Sequence, residues 1–176
     1  MQTWNTAYLS IGSNRGNKLK NLSLAIQCLE KDKGFKVDQV SNFYKTAPQN
    51  YTDQDWFINA AVKIATLYTP KILLDQLKLI EKKLDKEGKP FRFGPRIIDL
   101  DIIYYSNLVI KTKDLELPHP RMHERCFVLK PLCDIGKTQI HPILGLGPDE
   151  LLKQIQTDQA QAVIPLDQEE IREIFY

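Results

Sequence analysis

The sequence lacks the long apolar runs and the biased composition of membrane, fibrous or disordered proteins. Charged residues interrupt every hydrophobic stretch well before the roughly 20 residues that a membrane-spanning helix needs. Its 176 residues are 43% hydrophobic and 26% charged, and the ten prolines and eight glycines show no periodic repeat. We therefore expect one α/β or α+β domain with a substantial core, and no membrane partner.

Cysteine is scarce, and its spacing indicates neither a metal site nor a disulfide framework. The three cysteines, Cys28, Cys126 and Cys133, are odd in number and are not paired along the chain. Residues 1–7 contain no basic segment followed by an apolar core, so we predict no secretory signal. These features favour a cytoplasmic protein whose reduced thiols serve in packing.

The net charge of +2 is too small for a protein whose main task is to coat a nucleic acid, and no nucleic-acid partner is expected. Residues 149–176 contain seven acids against two bases, so the positive charge belongs to the residues before them. Much of it lies in a group of seven cations: Lys86, Lys89, Arg92, Arg96, Arg121, Arg125 and Lys130. This distribution indicates a site for a small anion.

The order of the predicted elements is βαββαβ. Apolar and alternating patterns predict strands at residues 8–11, 35–44, 57–66 and 97–105. Asn17 is a candidate N-cap for a first helix that ends at Gly34, and Thr69-Pro70 opens a second. The pattern predicts an α+β fold with a ferredoxin-like core, in which both helices cover one face of an antiparallel sheet and leave the other free for a ligand.

Additional elements are expected after this core. A hairpin is predicted from the fourth strand through Ser106-Asn107 to residues 108–110, followed by a short helix within 122–132 that stops at a proline. Pro148 opens a further helix. The domain is expected to span residues 1–157, and residues 158–176 to form an acidic C-terminal extension with a short docked helix. Its Asp167 and Glu170 have capping-box spacing.

The most informative segment runs from Gly94 to Ile102. Because side chains alternate along a strand, Asp99 and Asp101 should project from one face. The opposite, apolar face should carry Ile98, Leu100, Ile102 and Tyr104. Two carboxylates so close repel each other unless a cation lies near them, and Mg²⁺ fits such a pair. With Arg96 beside them the pattern is typical of a phosphate site, although two solvated surface aspartates are the alternative.

Other polar residues allow two interpretations each. Asn59, in the middle of a strand, could read the polar edge of a heterocycle or bond to a neighbouring loop, and Phe57 could stack on that ring or only pack. Gly12 could allow a ligand close to the backbone or mark an ordinary turn. Residues 119–125 could clamp an anion or form a solvated turn, and a zinc site there lacks acid or cysteine partners.

Four segments resemble the family of 6-hydroxymethyl-7,8-dihydropterin pyrophosphokinase in folate biosynthesis. They are residues 11–14 (IGSN), 57–62 (FINAAV), 92–102 (RFGPRIIDLDI) and 118–125 (PHPRMHER), within a resemblance from Tyr8 to about Ile155. The resemblance implies an ATP-dependent diphosphotransferase that transfers pyrophosphate from ATP to the pterin hydroxymethyl group and releases AMP. It also implies that ATP and the pterin are the partners, and two Mg²⁺ ions the cofactor.

The resemblance assigns roles to individual residues. The catalytic set would be Arg92, Arg96, Asp99 and Asp101, with the two aspartates holding the metal ions. The ATP site would comprise Glu81, Lys86, Lys89, Arg96, Ile102 through its backbone, His119 and Arg125. The pterin site would comprise Thr46, Ala47, Gln49, Phe57, Asn59 and Phe127. The polar loops 45–56 and 85–95 would close over the site as lids.

The sequence departs from the family pattern at two positions. Gly88 stands where an arginine is usual, and Phe93 where a tryptophan is common. One alternative is therefore a catalytically weakened relative. Another is a ferredoxin-like module that binds nucleotides or nucleic acid, although such modules need exposed aromatic residues on the sheet rather than aspartates. A monomer is expected, and association with other folate-pathway enzymes is left open.

Overall fold

The core is an antiparallel sheet that lies between two layers of helices. It is seen in a computed structural model that describes residues 3–49, 51–88, 91, 94–155, 161–167 and 169–171. In chain order the elements are β1 Asn5–Ser13, α1 Lys18–Lys31, β2 Phe35–Val40, β3 Tyr44–Thr46, β4 Phe57–Thr66, α2 Pro70–Leu84, β5 Asp99–Tyr105, β6 Ile110–Lys111, β7 Glu116–Leu117, α3 Cys126–Ile135, α4 Pro148–Gln154 and β8 Val163–Pro165. No helix among the described residues is long and apolar enough to cross a membrane.

The sheet has the strand order that a ferredoxin-like core requires. Strand β1 lies in the centre, between β5 and β4, and the other edge of β4 pairs with β2 and then β3. Every pair is antiparallel, and the two crossovers contain α1 and α2. The predicted α+β, βαββαβ fold is thus confirmed.

The second predicted strand is divided into β2 and β3 at residues 41–43. Ser41 continues the ladder across the break: its N–H donates to the Ala61 carbonyl at 2.9 Å, and its hydroxyl accepts from Ala61 N–H at 2.8 Å. The Tyr44 hydroxyl then donates to Asp134 of α3 at 2.9 Å. Burial, followed by this hydrogen bond, raises the pKa of Tyr44 to about 12. Because β3 extends to Thr46, the loop that was predicted from residue 45 begins only after that residue.

Helices α1 and α2 cover one face of the sheet with a continuous apolar core. Leu22, Leu29, Leu73 and Leu77 are fully buried in it, as their helical spacing predicts. The Asn17 side chain accepts from Lys20 N–H at 3.0 Å and caps α1. Helix α1 ends at Lys31, before Gly34. A Cβ at residue 34 would overlap the Tyr68 ring, so close packing rather than helix termination explains this glycine.

The second face of the sheet is only partly free, and in this respect the prediction was wrong. Helices α3 and α4 cover half of it, forming a second cluster with sheet residues Tyr8, Ala61, Ile103 and Tyr104. A register shift of β5 against β1 between Tyr8 and Leu9 turns Tyr104 to this side and Tyr105 to the α1–α2 side. Simple alternation could not predict that bulge. The uncovered half of the face contains the candidate site.

Three local predictions differ from the structure. Residues 106–110 do not pair with β5, because Ser106 N–H donates to the Thr6 carbonyl at 2.7 Å; the hairpin is formed by β6 and β7 instead. Pro131 lies inside α3 and does not stop it. Asp85 is buried, although an exposed loop was expected to begin there. Its carboxylate accepts from the N–H groups of Gly88 at 2.9 Å and Ile97 at 3.2 Å.

The C-terminal extension adds a strand to the sheet. Strand β8 pairs antiparallel with β3, joining Tyr44 to Pro165 and Thr46 to Val163. The predicted docked helix falls largely outside the described residues, but the Glu170 carboxylate accepts from Asp167 N–H at 3.2 Å, as capping-box spacing requires. The boundary placed at residue 157 stays a prediction.

We expect Ser41→Ala to lower the free energy of unfolding by about 1–3 kcal/mol, because Ala61 N–H would be left buried without its acceptor. Urea denaturation measures this change, with Thr138→Ala at an exposed position as the control. A Ser41→Ala protein as stable as the control would mean that the break between β2 and β3 is held by other contacts.

Candidate active site

A cavity of about 320 Å³ opens on the uncovered half of the sheet. Its floor is formed by β1, β4 and β5, and its walls by β3 with the residues after it and by the segment that leads into α3. The lining residues are Ser10, Gly12, Thr46, Ala47, Gln49, Phe57, Asn59, Lys78, Arg96, Asp99, Asp101, His119, Arg121, Arg125 and Phe127.

Two carboxylates lie at one end of the cavity. Asp99 and Asp101 alternate on β5, opposite Gly12 and Ser10 of β1, and both are half-buried rather than solvated. Burial raises the pKa of the Asp101 carboxyl, and repulsion from Asp99 raises it further. The positive charges of His119, Lys78 and Arg125 oppose this shift without cancelling it. A bound cation would stabilise the ionised pair.

Lys78 and Glu81 of α2 form an ion pair behind the aspartates. The Lys78 ammonium lies 2.8 Å from Glu81 Oε2, while Glu81 Oε1 accepts from Leu100 N–H at 2.7 Å. Burial opposes the charge on Lys78, but Glu81 and the two aspartates outweigh it and raise the pKa of Lys78. Glu81 therefore orients a cation toward the cavity and does not line the cavity itself.

Arg96 is held beside Asp99 by a contact with the end of β1. Its backbone N–H donates to Asn14 Oδ1 at 2.9 Å, and the Asn14 amide donates in turn to Gln54 at 2.9 Å. Arg96 Nε lies 3.4 Å from Asp99 Oδ2, yet this buried atom makes no hydrogen bond within the described part of the chain. The rest of the guanidinium lines the cavity, where it is suited to an incoming anion.

Two arginines and a histidine come from the segment between β7 and α3. His119 is fixed by its N–H, which donates to the Ile103 carbonyl at 3.0 Å, and its Nδ1 accepts from Arg121 N–H at 3.2 Å. Burial lowers the pKa of His119; the charge of Asp101 opposes this shift, and Arg125 and Arg121 add to it. Burial also lowers the pKa of Arg125, whose guanidinium nonetheless remains charged. The carboxylates thus share the cavity with two arginines from this segment.

The opposite end of the cavity is built around one buried amide. Asn59 Nδ2 donates to Thr46 Oγ1 at 2.6 Å, across the pairing of β4 with β3. On its other side Asn59 faces Gly12 of β1, where a Cβ would overlap Asn59 Oδ1. This close approach accounts for glycine at position 12, which lies within β1 and does not mark an ordinary turn, while a ligand close to its backbone stays a prediction.

Two aromatic rings complete this end. Phe57 lies under the Arg96 guanidinium, 4.9 Å from its carbon, and Phe127 lies under Arg125 at 5.4 Å. A flat ligand could contact both rings and still reach the Asn59 amide. Ala47 and Gln49 border the same space. The cavity thus joins an anion-binding end to an end suited to a planar, hydrogen-bonding molecule.

The structure brings together most residues that the sequence suggested, with five exceptions. Glu81 lies behind the residues that line the cavity, and Lys86 is exposed. The Ile102 side chain is buried in the α1–α2 core, so only its backbone could contact an adenine. Lys89 and Arg92 lie outside the described residues. Phe93, one of the two departures from the family pattern, lies outside them as well.

Sequence reasoning missed Ser10 and Lys78 as site residues and gave Arg121 no role toward ATP or the pterin. Ser10 alternates with Gly12 on β1 and so had a detectable signal. Arg121 belonged to a basic segment already noted. Lys78 had no local signal, because an exposed lysine on a helix is ordinary and only the packing of α2 beside β5 brings it to the cavity.

The donors present fit Mg²⁺. No group of three or more histidine, cysteine or acidic side chains suited to a metal occurs among the residues described, so a site closed by protein ligands alone has no support there. Magnesium needs only one or two carboxylates and completes its shell with water and phosphate oxygens. Asp99 and Asp101, whose mutual repulsion a cation would relieve, provide that arrangement.

Comparison with known proteins shows close sequence relatives. Residues 8–137 match the family model described as 7,8-dihydro-6-hydroxymethylpterin-pyrophosphokinase. The folic acid synthesis protein FOL1 of Dictyostelium discoideum is 47% identical over 147 residues, which are 84% of this chain and 22% of that protein. The 2-amino-4-hydroxy-6-hydroxymethyldihydropteridine pyrophosphokinase of Bacillus subtilis is 42% identical over 131 residues, 74% of this chain and 78% of the relative.

Solved structures support the fold. An HPPK-DHPS triple mutant of Plasmodium falciparum superimposes with a TM-score of 0.71 at 18% identity, covering 88% of this chain and 44% of that one. The chain spans only about a fifth of the length of two of the relatives it matches, the folic acid synthesis proteins of D. discoideum and Pneumocystis carinii. With a family model that covers most of its length and relatives above 40% identity, the chain belongs to the 7,8-dihydro-6-hydroxymethylpterin-pyrophosphokinase family.

Proposed function

We propose that this chain transfers pyrophosphate from ATP to the hydroxymethyl group of 6-hydroxymethyl-7,8-dihydropterin and releases AMP, in folate biosynthesis. The observation that carries the proposal is that one cavity joins the Asp99–Asp101 pair to the Asn59 amide. The family membership of the chain supports the same activity.

The nucleotide would occupy the charged end. The triphosphate of ATP needs several positive groups and a metal ion, and Arg96, His119, Arg121 and Arg125 line the cavity near the two carboxylates. Lys78 adds a cation from α2. The predicted roles of Lys86, Lys89, Arg92 and the Ile102 backbone toward ATP remain part of the proposal.

The pterin would occupy the opposite end. Its pyrimidine edge offers neighbouring donors and acceptors, which the Asn59 amide can satisfy while Thr46 fixes the orientation of that amide. Phe57 and Phe127 would contact the ring faces, with Ala47 and Gln49 at the rim. In this orientation the hydroxymethyl group would point toward the aspartates.

The reaction requires no covalent intermediate with the protein. The pterin hydroxyl oxygen forms a bond to the β-phosphorus of ATP, the bond from that phosphorus to the α-phosphate oxygen breaks, and the hydroxyl proton is released. The residues of the chain would align the two substrates and neutralise charge on the phosphates, Arg96 through its guanidinium at the cavity. Asp99 and Asp101 would hold Mg²⁺, which when bound neutralises the phosphate oxygens and orients them.

A catalytically weakened relative is the main alternative, since Gly88 stands where an arginine is usual. The structure offers a local reason for that glycine, because its φ of +70° lies in the left-handed region and its N–H is bound by Asp85. An arginine would be strained in this turn. Lys78 and Arg121 supply cations from other elements, which favours retained activity. The three free thiols favour a reaction in the cytoplasm.

The direct test is a coupled assay for AMP. The purified chain should form AMP from ATP only when both the hydroxymethyl-dihydropterin and Mg²⁺ are present, and mass spectrometry should detect the pterin pyrophosphate in equal amount. AMP formation without the pterin, or no AMP under any of these conditions, would contradict the proposal.

Asp101→Asn should lower kcat/KM at least about a hundredfold, because it removes a metal-binding carboxylate. In EDTA near neutral pH the variant should melt at or above the wild-type temperature, since burial and Asp99 disfavour the ionised Asp101 in the folded chain. That difference should shrink as the pH falls, because Asp101, with its raised pKa, takes up a proton in the folded chain before it does in the unfolded chain.

Addition of Mg²⁺ should raise the melting temperature of the wild type but not that of Asp101→Asn. Asp114→Asn, at an exposed acid between β6 and β7, serves as the matched control and should behave as the wild type. An equal response to Mg²⁺ in wild type and Asp101→Asn would place the metal elsewhere.

Asn59→Ala should raise the KM for the pterin about tenfold or more and leave the KM for ATP within about twofold. Of the two substrates, only the pterin would lose a hydrogen-bonding partner. Gly12→Ala should act in the same direction by displacing Asn59. Asn107→Ala, at an exposed turn, is the control. Equal effects of Asn59→Ala on both KM values would show that the amide does not read the pterin.

A further inference from the structure

Gln161 lies beyond the segment that the family model matches, yet its side chain contacts residues at the cavity. Gln161 Oε1 accepts two hydrogen bonds, from Gln49 Nε2 at 2.9 Å and from Cys126 N–H at 3.0 Å. Its Nε2 donates to the Glu124 carbonyl at 3.1 Å. The Gln161 amide thus bonds to two separate segments of the chain: one contains Gln49, and the other contains Glu124 and Cys126.

Those two segments form the facing walls of the cavity at the end that is suited to a planar ligand. Gln49 belongs to the wall that continues from β3, together with the cavity residues Thr46 and Ala47. Cys126 begins α3 and lies between Arg125 and Phe127, both of which line the cavity. A change in the distance between these walls would change the space between Asn59 and the Phe127 ring.

Strand β8 fixes the position of Gln161. The Ala162 carbonyl accepts from Ala47 N–H at 3.1 Å, and Leu166 N–H donates to the Phe43 carbonyl at 2.9 Å. These bonds flank the pairing of β8 with β3. The amide of Gln161 is therefore presented from a strand that is itself hydrogen-bonded to the first wall.

The second wall has a specific need for this contact. The first N–H groups of a helix have no partner within the helix, and Arg125, at the N-cap of α3, provides no side-chain cap. Gln161 caps Cys126 N–H from a distant part of the sequence. Loss of this bond would leave the first turn of α3 less well fixed.

We propose that Gln161 is a positioning residue that sets the separation of the Gln49 and Cys126 walls and thereby the affinity for the pterin. The inference rests on the proposed function, since it concerns the pterin end of the same cavity. It extends the functional unit past residue 157, where the sequence placed a boundary.

The test compares Gln161→Ala, Gln161→Glu and Gln39→Ala in the full chain. Gln161→Ala should raise the KM for the pterin about tenfold, with kcat and the KM for ATP within about twofold, because the walls lose their common partner. Gln161→Glu loses the N–H that donates to the Glu124 carbonyl, but it keeps the oxygen that accepts from Gln49 and Cys126, and its charge suits a helix N-terminus. It should stay within about threefold of the wild type. Gln39, exposed on β2, is the matched control.

Two readouts are independent of turnover. Hydrogen exchange of the Cys126 amide should be faster in Gln161→Ala than in the wild type, and fluorescence titration of the pterin should show the same loss of affinity as the KM. Unchanged pterin affinity, or equal losses for pterin and ATP, would overturn the inference. A wild type that binds the pterin but forms no AMP would refute the proposed function, whereas the exchange and affinity comparisons would still decide the role of Gln161.

Discussion

The spacing of the site depends on the central position of β1 in the sheet. Gly12 of this strand is paired with Asn59 on one side and with Asp99 on the other. Neighbouring strands lie about 4.8 Å apart, so the amide and the carboxylate come from backbones that are roughly 10 Å apart. Because residue 12 has no side chain, the Asn59 amide can lie close to the backbone of β1. A rigid ladder of hydrogen bonds, rather than a mobile loop, therefore fixes the distance between the two ends of the cavity.

Electrostatic balance is the second constraint. Two half-buried aspartates would destabilise the sheet if they stood alone, and the molecule surrounds them with cations from three elements: α2, the end of the loop before β5, and the segment before α3. Two of these cations are themselves held in place, Lys78 by Glu81 and Arg96 through Asn14. The charges are thus arranged before any substrate binds, which reduces the reorganisation that binding requires.

Local patterns in the sequence were sufficient for the βαββαβ core. The bounds of β4 follow from strict alternation, the start of α1 from Asn17, and the start of α2 from Pro70. The aspartate pair and Asn59 could be identified because strand alternation gives a direction to each side chain. Their exact roles toward ATP, metal and pterin stay predictions.

The features that sequence could not provide are those that depend on tertiary contacts. Alternation assigned Tyr104 to the wrong face, because a bulge in β5 appears only when the strand pairs with β1. Lys78 became a site residue through the packing of α2 beside β5. Gln161 is hydrogen-bonded to Cys126, more than 30 residues away in sequence, and to Gln49, more than 100 residues away. No local pattern indicates contacts of that range.

Strand β8 also changes what the sheet exposes to other molecules. Without it the outer edge of β3 would present unpaired backbone groups, and such edges recruit strands from other chains and promote aggregation. With β8 in place, the new border is only three residues long and includes Pro165, which has no N–H to donate. The extension thus closes this margin of the sheet with a short strand that is poorly suited to pairing with a neighbouring molecule.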